Sequence, residues 1–217
     1  MGHTPHLFLP GGPWVQTAIP TPPGAAHHLA KVLRLGPGAP VTYTDGAGHV
    51  GQGLLQDGTV VRGEEDFIEP PSLAVTMVVA PPHDRDRLRF MVEKLAELEV
   101  TRLAFLAARF GVGRRPDQSK VTSWAISALE QSRGAWLMEI TPGWVDVGGL
   151  DPENLWFADR GAPGLSGRPP ARVTLAVGPE GGWDEGEVPG GATRLGLGRT
   201  VLRVETAAIV AAGMLRS

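Results

Sequence analysis

The chain has 217 residues, a length that fits one or two domains, and its 42% hydrophobic and 20% charged residues exclude a wholly disordered protein. Twenty basic against 23 acidic residues give a net charge of -3, which taken whole speaks mildly against a nucleic-acid partner, and the lack of cysteine excludes disulfides, a thiolate nucleophile and Cys-based zinc sites. No apolar run approaches the roughly 18 residues of a membrane span. The start, MGHTPHLFLPGGPW, has no basic flank before an apolar stretch, so a soluble, untargeted protein is expected.

Thirty glycines and 20 prolines without a period predict many short elements joined by tight turns. A helix fits His27 to Leu35, ended by Gly36-Pro37-Gly38. Short β-like runs follow at Pro40 to Thr44, His49 to Leu55 and Thr59 to Arg62, separated by the turn signals Asp45-Gly46 and Asp57-Gly58. Such spacing predicts a small β-rich barrel or sheet. Glu64, Glu65 and Asp66, leading to Pro70-Pro71, read as a linker. Beyond it the pattern alternates: strand Leu73 to Ala80, helix Asp84 to Leu98, strand Arg102 to Ala107 and helix Ser119 to Gln131. Strands Asn154 to Ala158 and Val173 to Val177 come next, then a helix over Val204 to Leu215. This order predicts an α/β domain with a parallel sheet covered on both faces.

Two stretches carry chemistry. In VTLAVGPEGGW, residues 173 to 183, an apolar strand runs straight into Gly178-Pro179-Glu180-Gly181-Gly182. In open parallel sheets ligands bind beyond the carboxyl ends of strands, and glycines let backbone approach them closely. A plain surface turn is the competing reading. The loop is neither GxGxxG nor a Walker loop, so a nucleotide-dependent oxidoreductase lacks its fingerprint. In LGLGRTVLRVETAA, residues 195 to 208, Arg199 and Arg203 bracket the start of the last helix, and Glu205 and Thr206 sit in its first turn. Alone, this reads equally as a helix cap with two solvated arginines.

Together, GPEGG and LGLGRTVLRVETA resemble the C-terminal signature of the RsmE-type 16S rRNA uridine-N3 methyltransferases, of the SPOUT class. Lys94 to Leu98 with Val100, Arg109, and Glu130-Gln131-Ser132-Arg133 are similar to further segments of that family. So are His28-Leu29, Val32-Leu33-Arg34, Gly36, Gly38 and Asp45-Gly46. The resemblance covers nearly the whole chain. It implies a PUA-like β-rich domain over residues 1 to 68 and a trefoil-knotted α/β methyltransferase domain over 72 to 217. It also implies S-adenosyl-L-methionine as cofactor, 16S rRNA as substrate, and a homodimer with sites at the subunit interface. The cofactor residues it implies are Gly178, Glu180, Gly181, Gly182, Leu197, Gly198, Leu202, Val204, Thr206 and Ala207, with a further loop after Ala158. The chain departs from the family at Glu99, where glycine is usual, at Val204, where threonine is usual, and at Gly134, where a second arginine is common.

Residues 1 to 70 carry the whole net charge of -3, and in the neutral remainder the arginines are segregated. Arg102, Arg109, Arg114 and Arg115 lie in one acid-free stretch, Arg160, Arg168 and Arg172 in a second, and Arg194, Arg199 and Arg203 in a third. Guanidinium groups suit phosphate contact and base stacking, so Arg34, Arg109, Arg114, Arg115, Arg133, Arg160 and Arg199 are expected to contact RNA. Uridine N3 must lose a proton, and a fixed cation stabilises the charge left on the flanking carbonyls. Arg203 is expected in that role, with Glu205 orienting it and Glu180 as a weaker proton acceptor. His27 and His28 are expected on an ordinary helix surface, and no metal site is expected. A non-catalytic ribosome-assembly protein of the same fold, or a SPOUT enzyme with another RNA target, remain alternatives.

Overall fold

In the first third of the chain, strands of three to nine residues hide one face and leave the other wet, which is the pattern of an antiparallel sheet. The computed structural model describes residues 4–22, 24, 29, 31, 34–111, 113–184 and 186–216. Its contacts divide the chain into two units, Met1–Pro70 with Ile126–Leu137, and Pro71–Ala125 with Met138–Ser217.

The first unit holds β1 (His6–Phe8), β2 (Ala18–Pro20), β3 (Pro40–Thr44), β4 (His49–Gln56) and β5 (Thr59–Phe67), in the order β1-β3-β4-β5-β2. Only β1 and β3 pair in parallel. Leu7, Leu9, Trp14, Val41, Tyr43 and Val60 form its core. The sequence showed no signal for β1 and β2, whose three residues are too few for a periodicity. The acidic run expected as a linker is strand instead. Gly51 pairs with Glu65 and Gly53 with Arg62, so Gly63 and Glu64 face the single residue Gln52 in a β-bulge. That extra residue turns Arg62 and Glu65 to the same face. Glu65 there accepts two hydrogen bonds from Arg62, at 2.7 and 2.6 Å, and one from the Tyr43 hydroxyl at 2.6 Å. The carboxylate is satisfied inside the sheet, so an acidic sequence can be a strand. Most of the expected helix His27 to Leu35, including His27, His28, Val32 and Leu33, lies outside the described residues.

The second unit contains β6 (Ala74–Val79), α1 (Arg85–Glu97), β7 (Arg102–Leu106), the first part of α2 (Gln118–Ser132), β8 (Glu139–Val145), β9 (Leu155–Ala158), β10 (Arg172–Val177), β11 (Thr193–Leu195) and α3 (Val204–Arg216). The strands form one sheet in the order β11-β9-β10-β6-β7-β8, and every pairing is parallel. Burial on both faces explains the unbroken apolar runs of β6 and β10, where Val75, Met77, Leu175 and Ala176 are fully buried. The expected α/β architecture is therefore present, with two strands more than the sequence suggested. β8 was hidden by Pro142 and by Gly143, whose φ is +79°. It is an edge strand and its pairing with β7 shifts register, so a missing N–H is tolerated there.

Helix α1 buries Leu88, Met91, Val92 and Leu95 on one stripe. Helix α3 buries Ala207, Ala208, Ala211 and Ala212, small residues that let it lie close to α1, β6 and β10. Asp84 caps α1 by accepting from the Arg87 N–H at 2.9 Å. At the other end the Val100 N–H reaches the Leu95 carbonyl and the Glu99 N–H reaches Ala96, both at 3.0 Å, which is a Schellman motif. Glu99 occupies its left-handed position with φ +56°. A glycine is favoured there for want of a Cβ, which accounts for Glu99 as a departure from the family pattern. Replacing Glu99 with glycine relieves about 1 to 2 kcal/mol of left-handed strain, partly offset by a freer unfolded chain. Glu99→Gly should thus raise stability by roughly 0.5 to 1 kcal/mol, read as a higher urea midpoint at unchanged m-value.

Candidate functional site

Because β9, β10 and β11 are adjacent and parallel, their carboxyl ends lie along one edge of the sheet, and the segments that leave them meet there. They enclose a cavity of about 470 Å³, within the range of small-molecule sites. Its walls are Ala158 at the end of β9 with Asp159 and Arg160, Gly178 to Trp183 after β10, and Leu197, Gly198, Thr200, Val201 and Leu202 with Ala207 beyond β11. Of the ten residues assigned to the cofactor from sequence, Gly178, Glu180, Gly181, Gly182, Leu197, Gly198, Leu202 and Ala207 line it. Val204 and Thr206 do not. Val204 is buried at the start of α3 and Thr206 is exposed.

The glycines of this loop answer to the protein as well as to space for a ligand. A Cβ on Gly178 would lie 2.9 Å from the Trp183 ring. Trp183 in turn packs edge-on against Phe157, with ring centroids 5.2 Å apart, and donates from Nε1 to the Ala158 carbonyl at 3.2 Å. Gly182 closes a turn onto the Pro179 carbonyl at 2.9 Å with φ +82°. Trp183 was not singled out in the sequence, although a tryptophan directly after a glycine run is a candidate to fill the space they leave.

Arg203 is exposed, and its backbone carbonyl accepts from the Ala207 N–H at 2.8 Å. It is not a lining residue, but Leu202 and Ala207 on either side of it are. Glu205 was expected to orient Arg203; instead it is gripped by Arg87 from the first turn of α1. Arg87 Nε donates to one Glu205 oxygen at 2.7 Å and Nη2 to the other at 2.6 Å, while Nη2 also reaches Glu180 at 3.1 Å. Burial pushes the Glu205 carboxyl up, but the Arg87 hydrogen bonds and the charges of Arg87 and Arg203 outweigh it and hold the group below its ordinary value. The two glutamates push the Arg87 guanidinium further up, so it is permanently charged. Arg87 had one signal in the sequence. A cation in the first turn of a helix opposes the helix dipole and implies an anionic partner elsewhere.

The arginines behave less uniformly than their acid-free segments suggested, because the fold brings acids from other segments. Arg109 pairs with Asp184, Arg194 with Asp159, and Arg102 with Glu139 at 2.7 Å. Arg160 and Arg199 are exposed and border a shallow hollow of about 570 Å³ next to the cavity, with Arg160 lining both. Arg114 and Arg115 are exposed elsewhere in this unit. Arg34 and Arg133 belong to the first unit; Arg34 is exposed and Arg133 donates to the Thr4 carbonyl at 2.9 Å. Among the described residues no three His, Asp or Glu side chains are placed to hold a metal ion, and no helix is long and apolar enough to cross a membrane.

The fold and this edge of the sheet have known counterparts. Ribosomal RNA small subunit methyltransferase E of Synechocystis sp. is 29% identical over 210 residues, covering 85% of this chain and 68% of that protein. A ribosomal RNA small subunit methyltransferase E from Neisseria gonorrhoeae, solved bound to S-adenosyl methionine, superposes with a TM-score of 0.86 at 27% identity, covering 97% of this chain and 96% of that one. A Legionella pneumophila structure in complex with the cofactor SAM shares the fold, with a TM-score of 0.83 at 23% identity over 99% and 97% of the two chains. The family described as RNA methyltransferase domain matches residues 69–144 and 156–216, nearly two thirds of the chain and all the loops that enclose the cavity, and the protein belongs to that family.

Proposed function

We propose that this protein is an S-adenosylmethionine-dependent methyltransferase that modifies N3 of a uridine in 16S rRNA of the small ribosomal subunit. The observation that carries the reading is the cavity at the ends of β9, β10 and β11, built from the loops on which the resemblance rests. The donor set fits the cofactor. Leu197, Val201, Leu202 and Ala207 offer apolar wall, and the Gly178 to Gly182 backbone offers N–H and C=O groups. When bound, the cofactor supplies an electrophilic methyl group. Gly178, Gly181, Gly182, Leu197, Gly198, Leu202 and Ala207 would hold it, Glu180 of the same lining loop is bonded to Arg87, and Val204 and Thr206 shape the helix start beside it.

The finer architecture follows the same family. Residues 1 to 68 form a PUA-like RNA-binding domain, residues 72 to 217 a trefoil-knotted SPOUT domain, and two chains associate as a homodimer in the cytoplasm. The approach of β11 to the loop after β9 supports the knot: the Gly196 N–H bonds the Pro163 carbonyl at 2.7 Å, and a Cβ there would lie 1.9 Å from the Ala162 carbonyl oxygen. The catalytic task of the chain is to place the base, remove its N3 proton and stabilise the resulting charge. Arg203 at the cavity rim supplies the positive charge. Glu205, locked to Arg87 and held ionised, is a poor proton acceptor and instead positions the start of α3. Glu180 is the better placed carboxylate to take a proton. Arg160 and Arg199, with Arg34, Arg109, Arg114, Arg115 and Arg133, contact the RNA backbone. Neither Glu99 nor Val204 touches the cavity, so the two departures that favoured a non-catalytic assembly protein leave its lining intact.

The test is incubation with labelled S-adenosylmethionine and small subunits that lack the modification, followed by mapping of the methylated base. Incorporation at a uridine N3 is expected, and none in RNA would overturn the proposal. Arg203→Ala should lower turnover about 100-fold with cofactor affinity little changed, as for loss of one group that stabilises developing charge. A depressed folded-state carboxyl stabilises the protein above its ordinary value of 4.5 and loses that contribution as pH falls through the lower folded value. Glu205→Gln should therefore be less stable than wild type at pH 7, and the gap should close on acidification below 4.5, read from urea midpoints across pH.

A further inference from the structure

Two carboxylates of the second unit converge on one guanidinium. Arg87 lies in the first turn of α1, outside the cavity lining, yet it is bonded to the loop after β10 and to the start of α3, each of which supplies lining residues. On one side it grips Glu205, two residues before the lining residue Ala207, through two hydrogen bonds of 2.7 and 2.6 Å. On the other it reaches the lining residue Glu180, in the middle of the Gly178 to Gly182 loop, through a single bond of 3.1 Å.

The two grips differ in kind. The Glu205 side chain is 9% exposed and doubly bonded, whereas that of Glu180 is 44% exposed and singly bonded. A buried, bidentate pair costs much to break because it strands a charge. An exposed single ion pair opens readily. The Glu205 side is thus a fixed post, and the Glu180 side is a releasable latch. Between Val177 at the end of β10 and Trp183, which Ala158 anchors, the hydrogen bonds holding this loop among the described residues are the internal Gly182 to Pro179 turn and the latch. The Arg87 fork reaches both carboxylates at once through a rigid plane, which a flexible ammonium would not reproduce.

We infer that Arg87 is a positioning residue that latches the glycine-rich loop over bound S-adenosylmethionine by way of Glu180, with Glu205 as its fixed anchor. The inference rests on the proposed cofactor. Glu180 then acts on cofactor affinity through Arg87 and not by touching the cofactor.

A thermodynamic cycle separates the two routes. S-adenosylmethionine affinity is measured by calorimetry for wild type, Glu180→Ala, Arg87→Ala and the double variant, with melting temperatures recorded without cofactor. Glu180→Ala should weaken binding about tenfold, the scale of one charged hydrogen bond, with the melting temperature unmoved. In the Arg87→Ala background the same change should add nothing. Equal effects of Glu180→Ala in both backgrounds, or unchanged affinity in Arg87→Ala, would overturn the inference. Since Arg87→Ala strands the Glu205 carboxylate, the cycle is repeated with Arg87→Lys, which keeps a cation beside Glu205 but not the fork that reaches both carboxylates, and the same outcomes decide. Binding by wild type with an additive cycle refutes the latch alone; no binding by wild type refutes the latch and the proposed cofactor together.

Discussion

An all-parallel sheet sends every strand out through the same edge, and the rest of the second unit follows from that constraint. With β9 between β10 and β11, three successive exits crowd into the width of three strands. Their connections cannot spread apart, and they enclose a cavity instead of forming separate surface turns. The same geometry sets the direction of α1. It leaves the carboxyl end of β6 and runs back, so Arg87 in its first turn stands at the cavity edge while Glu99 stands at the opposite one.

Charge organisation reinforces this geometry. Of the carboxylates near the cavity, Glu205 is buried and committed to Arg87, Asp159 is committed to Arg194, and Glu180 is exposed and only loosely held. Arg160, Arg199 and Arg203 remain exposed around the same loops. Positive charge is therefore left outward at the mouth while most of the negative charge is neutralised, which is the arrangement an anionic polymer requires of a protein with net charge -3.

Much of this was legible in the residues. The apolar runs of β6 and β10 are long because both faces are buried, and α1 and α3 carry clear helical stripes, so their spans were readable within a residue or two. The cavity loops were readable because a glycine run directly after a buried strand marks the carboxyl edge. Other features were silent for physical reasons. Strands β1, β2 and β11 have three residues each, β8 carries Pro142 at a tolerant edge, and the acidic end of β5 looked like a linker until Arg62 and Tyr43 were seen to satisfy Glu65. The glycine at 178 looked like a concession to ligand and is equally a concession to the ring of Trp183.

By itself the sequence determined what is local or periodic: the parallel sheet and its helices, the β-rich start, the glycine-rich loops and the motif that marks an RNA methyltransferase. Pairings between distant segments were decided only by the tertiary structure. Arg87 meets Glu205 across 118 positions, Arg109 meets Asp184 across 75, and three of the ten arginines in the acid-free stretches are paired with such partners. The reason is that charges interact through space, with a strength set by distance and burial, and one-dimensional spacing carries neither.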